Sequence, residues 1–324
     1  MRTVIIGSGN WGITLAGLVN PQRPILLWAQ NSEFARIAQK DLVHVAGTST
    51  RKITVEPAFV SALTPDDIVV LVVPSSQIAP VSEQLRTKSK PPYPTIVTAS
   101  KGLERATFRT MSQVISAIIP EATVAVLSGP TIAREIAEGQ PAKAVIGCED
   151  VHTLLKLAKA LSSERFHLDM TRDKVDVELC AAMKGVFAVG AGVVTERRMG
   201  CNYMGLMLTF GLREIAEIAR FLGISTAHVF GVAGMGDLVA TCFSPDSRNY
   251  QLGQLLARGV PLQQALTEVR MVVEGAMTAA AVSEMAALRL RVPLFSAIAG
   301  IVENPDEAAF KRFEQTLLEY PGNG

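Results

Sequence analysis

The chain has 324 residues, enough for two domains of ordinary size, and its 48% hydrophobic and 19% charged content describes a globular protein with a large core. Thirty-one basic residues stand against 30 acidic ones, and a net charge of +1 provides no long-range field for nucleic acid or a membrane surface. Any anion site must therefore come from local geometry, no apolar run reaches the ~20 residues of a membrane span, and a strand-like segment occupies the place of a signal peptide.

The first residues are a β-branched run, Thr3-Val4-Ile5-Ile6. Gly7-Ser8-Gly9-Asn10-Trp11-Gly12 follows, then a small apolar helical pattern over 13–19. Strand, G-x-G-x-x-G and helix in that order predict a dinucleotide site. The first glycine permits a tight turn, the second a close approach of pyrophosphate to backbone, and the third close packing of helix on strand. The helix N-terminus adds free N–H groups and the positive end of its dipole.

Further strand-like runs lie at 25–27, 53–55, 68–73, 95–97, 123–127 and 144–146, with helical spacing between them, as at 33–39 and 107–118. Strands apolar on both faces, separated by helices, predict a parallel sheet covered on both sides. The fold class expected for residues 1–168 is therefore α/β, a doubly wound Rossmann domain. Ligands of such sheets bind at the carboxyl ends of the strands. That places Pro74 and Ser75, after the run 68–73, in the cofactor crevice. Lys101, after the run 95–97, either projects into the same crevice or carries a surface charge. Ser128-Gly129-Pro130 closes the next run, before a helix expected over 131–138. An acid about 20 residues past the glycines normally reads the cofactor ribose. Here that place is Trp28-Ala29-Gln30-Asn31-Ser32, with no carboxylate before Glu33 and no Arg. NADP or NAD is expected, with a lean to NADP.

From 169 to 324 the β-branched runs give way to segments rich in Ala, Leu, Met and Glu: 177–194, 206–222, 262–269, 275–290 and 306–318. This half reads as an all-α domain, with Gly223 a C-cap. Three of its segments carry chemistry. Residues 179–194 read LCAAMKGVFAVGAGVV, in which Lys184 is the one charge. A buried ammonium must find a partner or its pKa falls. A lysine so tuned donates and accepts protons near neutral pH, although one that snorkels to the surface leaves the same pattern. Residues 230–242 place three glycines before Asp237 in apolar company. Asp237 needs hydrogen bonds or a cation, for which Lys184 is the obvious candidate, or it caps a helix. Thr241, four residues on, shares its face if the segment is helical. Residues 244–250, SPDSRNY, present Ser247, Arg248 and Asn249 just before a helix. Arg suits the clamping of a phosphate, while Asn and a helix N-terminus add neutral donors. The four cysteines (Cys148, Cys180, Cys201, Cys242) are scattered and the four histidines form no tight cluster, which fits a reducing cytoplasm and no metal site.

Taken together, these segments resemble the bacterial NAD(P)-dependent glycerol-3-phosphate dehydrogenases. The matching stretches are IIGSGNWGITLA, DDIVVLVVPSSQI, ASKGLE, SGPTIAREIAEGQPAKAVIG, ELCAAMKGVFAVGAGV, GVAGMGDLVATCFSPDSRN and MVVEGAMTAAAV, in order from Val4 to Val282. The resemblance implies a Rossmann domain followed by an α-helical substrate domain. It implies interconversion of dihydroxyacetone phosphate and sn-glycerol 3-phosphate for phospholipid synthesis, with NADP or NAD. A cytoplasmic homodimer with a small phosphate substrate is expected, with no nucleic-acid partner and no membrane insertion. Lys184 would be the general acid/base at the C2 oxygen, and Lys101 would stabilise the oxyanion. Asp237 and Thr241 would hold Lys184 and the substrate hydroxyls. Gly129, Ser247, Arg248 and Asn249 would contact the substrate, the last two at its phosphate. The glycine loop (Gly7, Ser8, Gly9, Asn10, Trp11, Gly12), Pro74, Lys101, Arg248 and Glu274 would contact the cofactor.

Three features depart from the family pattern. Gly185 stands where an Asn usually follows the lysine, Phe210 where an Arg is usual, and residues 41–58 lack a YLPG-like segment. Asn202 keeps its expected place. A related dehydrogenase for another hydroxy acid or phosphate, or a nucleotide-binding redox sensor, would share the same glycine loop.

Overall fold

The computed structural model describes residues 2–49, 51–105, 107–269, 272–286 and 290–320. Thr50, Met271 of the MVVEG run and residues 287–289 of the helix expected over 275–290 lie outside the described residues. The chain divides into two compact units, Met1–Lys101 with Arg109–Val177, and Gly102–Phe108 with Glu178–Gly324. The break expected after residue 168 falls inside a strand.

The first unit is built on one eight-stranded sheet. Its strands are β1 (Thr3–Ile6), β2 (Ile25–Ala29), β3 (Ile53–Pro57), β4 (Ile68–Leu71), β5 (Thr95–Thr98), β6 (Val124–Ser128), β7 (Ala142–Gly147) and β8 (Phe166–Thr171), in the order β3-β2-β1-β4-β5-β6-β7-β8. Its helices are α1 (Asn10–Leu18), α2 (Ser32–Asp41), α3 (Ile78–Lys88), α4 (Met111–Ile118), α5 (Ala133–Ala137) and α6 (Val151–Leu161). Side chains alternate across the sheet as the pleat demands. On β4, Ile68 and Val70 join one apolar layer while Val69 and Leu71 join the other. Helices cover both layers, which is why these strands are apolar throughout.

The sheet differs from the expectation in two respects. The strands from β3 to β6 are parallel, but β7 runs antiparallel to β6, and β8, unforeseen in the sequence, pairs parallel to β7. The cause is the connection. A parallel return must carry the chain back along a strand of about 17 Å. The five residues of α5 rise only about 8 Å. The next strand therefore starts where β6 ended. The 11 residues of α6 rise about 16 Å, and β8 is parallel to β7 in consequence. Two expected helices are also shorter. α4 begins at Met111 rather than 107, because the Thr110 N–H donates to Gln113 Oε1 at 2.9 Å in a capping box. α5 begins at Ala133 rather than 131.

The second unit is helical: α7 (Lys174–Glu196), α8 (Cys201–Phe221), a π-helical turn (Val232–Gly236), α9 (Asp237–Phe243), α10 (Arg248–Ala257), α11 (Leu262–Val269), α12 (Glu274–Ala286), α13 (Pro293–Glu303) and α14 (Glu307–Leu318). By length and mean hydropathy (1.7) α7 could cross a membrane, but its apolar window is wholly buried within the protein. Gly223 ends α8 at φ +68°, with Gly223 N–H donating to Arg220 O (3.1 Å) and Ile224 N–H to Ala219 O (2.8 Å). That pair of bonds is the C-terminal motif that favours glycine.

α13, unforeseen in the sequence, starts at Pro293 and is capped from a distance. The free N–H groups of Leu294 and Phe295 each donate to the buried carboxylate of Glu214, at 2.7 Å. Tyr320 O–H adds a third bond at 3.1 Å, and its ring stacks on Phe210 with centroids 4.0 Å apart. Phe210 is thus part of the packing of the C-terminal segment. Burial pushes the Glu214 carboxyl up to about 7, and its three donors oppose the shift without cancelling it.

The raised pKa fixes the sign of a pH effect. Folding favours the protonated carboxyl, so Glu214 adds stability that is complete below about 4.5 and is lost as the pH rises through about 7. We expect the midpoint of thermal unfolding to fall between pH 5 and pH 8 with a contribution of about 3 kcal/mol from this group, and the Glu214→Gln variant to lose that part of the slope. Identical slopes in the two proteins, followed by circular dichroism, would show that the carboxyl titrates normally.

Candidate active site

The glycine loop lies at the point where the strand order reverses, with β2 on one side of β1 and β4 on the other. Gly7 sits at φ +121°, and a Cβ there would lie 2.3 Å from Val72 O. A Cβ at Gly12 would lie 1.8 Å from Gly7 O. These two glycines are required by the protein's own packing. Gly9 is different, because nothing lies within 4 Å of the Cβ position. The fold leaves this space open at the start of α1, and no side chain caps that helix. A loop with room above its second glycine and a helix start that no side chain caps fits a dinucleotide pyrophosphate.

Pro74 and Ser75 follow β4 at the same edge of the sheet. Val72 N–H donates to Ile6 O (2.8 Å), which ties the end of β4 to the end of β1. Ser100 Oγ donates to Val73 O at 2.5 Å, drawing the segment after β5 alongside. Lys101 Nζ donates to Gly129 O at 3.3 Å, so these two expected site residues meet. At the end of β2, Asn31 accepts from the Glu33 and Phe34 N–H groups (3.0 Å each) and caps α2. Asn31 is therefore engaged as a cap, and Trp28 Nε1 donates to Glu56 Oε1 at 2.9 Å.

In the second unit, Lys184, Asp237 and Thr241 come together across 57 residues of sequence. The relative exposures are 7%, 0% and 5%. Lys184 Nζ donates to Asp237 Oδ1 in a short ion pair and to Thr241 Oγ1 at 2.8 Å. The Thr241 hydroxyl donates onward to Asp237 O at 2.6 Å. Asp237 is the first residue of α9 and Thr241 lies one turn later, which gives them a common face. The alternatives left by the sequence are resolved: the ammonium is buried rather than snorkelling, and Asp237 pairs with it rather than capping. Next to the pair, burial pushes the Cys242 thiol up to about 12, with Lys184 pulling it down and Asp237 raising it. Cys242 therefore stays neutral and inert.

Ser247, Arg248 and Asn249 lie close to the start of α12. Ser247 is the N-cap of α10 and accepts from Tyr250 N–H at 3.3 Å. Arg248 and Asn249 are the first two helical residues, not residues before the helix. Arg248 Nη1 donates to Val272 O at 2.9 Å, and Asn249 Oδ1 accepts from Gly275 N–H at 2.9 Å. Desolvation lowers the Arg248 pKa from its ordinary value while the Glu274 charge raises it. The Arg248 guanidinium and the Asn249 amide, at a helix start, are donors of the kind that bind an anion. Gly275 was not foreseen. It stands in the same VEG run as Glu274, and its role comes from a backbone N–H that no side-chain pattern betrays. Among the described residues no group of three or more His, Cys, Asp and Glu could hold a metal ion.

Comparison with known proteins covers both units. Residues 2–154 match the family described as NAD-dependent glycerol-3-phosphate dehydrogenase N-terminus, and residues 173–309 match its C-terminus. A glycerol-3-phosphate dehydrogenase (NAD(P)+) of Rhodospirillum rubrum is 36% identical over 92% of this chain and 87% of its own. Its namesake in Synechococcus sp. (strain JA-3-3Ab) is 33% identical over 98% of this chain and 96% of its own. Among solved structures, the glycerol-3-phosphate dehydrogenase of Coxiella burnetii is similar with a TM-score of 0.85 and 26% identity, covering 98% of each chain.

The buried ion pair makes a stability prediction. Asp237→Ala strands an ammonium in a dry site and should cost 3–5 kcal/mol in urea unfolding, the size typical of such a loss. Lys184→Met combined with Asp237→Leu should recover most of it. A double variant as unstable as the sum of the singles would mean that the two charges are not coupled.

Proposed function

The chain belongs to the NAD-dependent glycerol-3-phosphate dehydrogenase family, and from that premise we propose that it reduces dihydroxyacetone phosphate to sn-glycerol 3-phosphate, with NADP or NAD. The observation that carries the reading is the buried lysine, held by a carboxylate and a hydroxyl in the helical unit. A general acid for a ketone must hold a proton at a fixed point in a site where charge develops, and Lys184 has that arrangement.

The chemistry that a bound nicotinamide supplies is a hydride at C2 of the ketone. As the C2 oxygen gains charge, Lys184 Nζ donates a proton to it. Asp237 and Thr241, both bonded to the Lys184 ammonium, orient it. The resemblance assigns to Lys101, whose Nζ donates to Gly129 O, the stabilising of the developing oxyanion. Arg248 and Asn249 hold the substrate phosphate, with Ser247 beside them, and the common geometry lowers the entropy cost of the step. The glycine loop from Gly7 to Gly12, with Pro74, holds the cofactor, and the resemblance alone adds Glu274 and Arg248 to its contacts. The unit built on the sheet (Met1–Lys101 with Arg109–Val177) acts as the cofactor domain and the helical unit as the substrate domain. The product feeds phospholipid synthesis. A cytoplasmic setting is supported by four cysteines that form no disulfide, and a homodimer by the resemblance alone.

Two measurements test the reading. In an assay at 340 nm with dihydroxyacetone phosphate, NADPH or NADH should be consumed, and Lys184→Ala should lower kcat by about 10²–10⁴-fold. An unchanged kcat would remove Lys184 from the chemistry. The second concerns Gly9, whose Cβ position is open. Gly9→Val should leave the unfolding midpoint where it is and weaken NADPH binding at least about tenfold. Equal binding by titration calorimetry would move the pyrophosphate elsewhere.

A further inference from the structure

Gly185 follows Lys184 on α7, and it lies against the start of α12. A Cβ added at Gly185 would meet Gly275 Cα at 3.1 Å, Gly275 N at 3.2 Å and Asn249 Nδ2 at 3.3 Å. A Cβ added at Gly275 would meet Gly185 O at 2.5 Å and Asn249 Oδ1 at 2.6 Å. Two backbones, one from each helix, thus enclose the amide of Asn249. Both neighbours of the amide are glycines, and neither position has room for a side chain without movement.

The amide has one orientation in this setting. A backbone N–H can be accepted only by its oxygen, so the Gly275 bond at 2.9 Å fixes Oδ1 towards α12 and Nδ2 towards Gly185. Among the described residues no hydrogen bond from Nδ2 is found, so its two protons remain donors beside the residue next to Lys184.

We propose that Gly185 and Gly275 are positioning residues for Asn249: they fix its amide so that the donor end, and not the carbonyl, faces the substrate phosphate. The proposal rests on the assignment of Asn249 to that phosphate. It changes the meaning of the glycine at 185. The position lacks a side-chain contact of its own, and in exchange the donor is delivered from α10, over a backbone close enough to be in contact. A side chain at 185 does not add a contact here. It moves the amide, because the nearest atoms it meets belong to the backbone of Gly275 and to Asn249 itself.

The test is a double-mutant cycle on the full chain with Gly185→Ala and Asn249→Asp. The aspartate keeps an acceptor for Gly275 N–H and replaces the donor with a negative oxygen. Loss of a hydrogen bond to a charged group corresponds to about 10–100-fold in affinity. Asn249→Asp should raise KM for dihydroxyacetone phosphate by that factor or more, and Gly185→Ala by about tenfold. In Gly185→Ala, kcat should stay within about threefold and KM for NADPH should not move. Because Gly185 acts through Asn249, the double variant should be no worse than Asn249→Asp alone. Additive effects, an unaltered KM in Gly185→Ala, or a fall in kcat that follows the unfolding midpoint would overturn the proposal. The same cycle is to be read with inorganic phosphate by calorimetry. If wild-type protein does not turn over dihydroxyacetone phosphate, the functional reading fails, while a non-additive loss of phosphate affinity still supports the positioning role and an additive or absent loss rejects it.

Discussion

The ion pair between Lys184 and Asp237 sets the terms for the helical unit. Each charge alone would cost several kcal/mol to bury, and only their mutual attraction with good hydrogen bonds offsets this. The structure around them meets that demand from both sides. α7 is apolar and small-sided for most of its length, and it excludes water from the lysine. The preceding glycines allow the chain to turn sharply enough to deliver Asp237: a Cβ at Gly234 would sit 2.1 Å from Val229 O. Thr241 then closes the arrangement by accepting from the ammonium and donating to the Asp237 backbone. The neutrality of Cys242 follows from the same dryness. A proton-transfer group needs a defined position, and the burial of this pair fixes one for the ammonium.

The cofactor loop shows the complementary case, in which the protein does not consume what it builds. Gly7 and Gly12 are accounted for by contacts with Val72 and with each other's turn. Gly9 faces nothing. A residue that packing does not require to be glycine, placed where α1 has no side-chain cap, leaves room for a partner outside the chain. The same logic separates Asn31 from Asn249. The Asn31 oxygen accepts twice within its own helix start, whereas the Asn249 oxygen accepts from the start of another helix.

Much of this was legible in the sequence because it depends on composition at single positions. Lone charges in apolar runs mark Lys184 and Asp237 as candidate partners, with a snorkelling lysine and a capping aspartate as the alternatives that only the structure decides. Strand runs apolar on both faces identify a covered sheet. What escaped depends on quantities that periodicity does not encode. Strand direction is one: β7 looks like its neighbours, and only the length of α5 reverses it. β8 is the exception: FHLDMT alternates apolar and polar residues, a short period-2 signal that is present in the sequence but lacks the continuous apolar run of the central strands. α13 is apolar on most faces, so no amphipathic stripe announces it, and its cap comes from Glu214, 80 residues earlier in the chain. The expected helix start at 107 failed for a local reason, the Thr110–Gln113 capping box, which the sequence did contain.

The departures from the family pattern acquire physical content only at this level. Read along the chain, Gly185 is a missing side chain and Phe210 a missing charge. In the folded protein, Phe210 is stacked on Tyr320, whose hydroxyl reaches the Glu214 cap, so its place is taken up by packing. Gly185 leaves no cavity, because the backbone of Gly275 fills the position to within 3.1 Å of where a Cβ would stand. Protein interiors are close-packed, and the volume beside Gly185 is occupied by the backbone at the start of α12 rather than by a side chain. The same stretch of α12 presents the N–H that the Asn249 oxygen accepts, so the close approach of the two helices and the fixed orientation of the amide belong to one piece of packing.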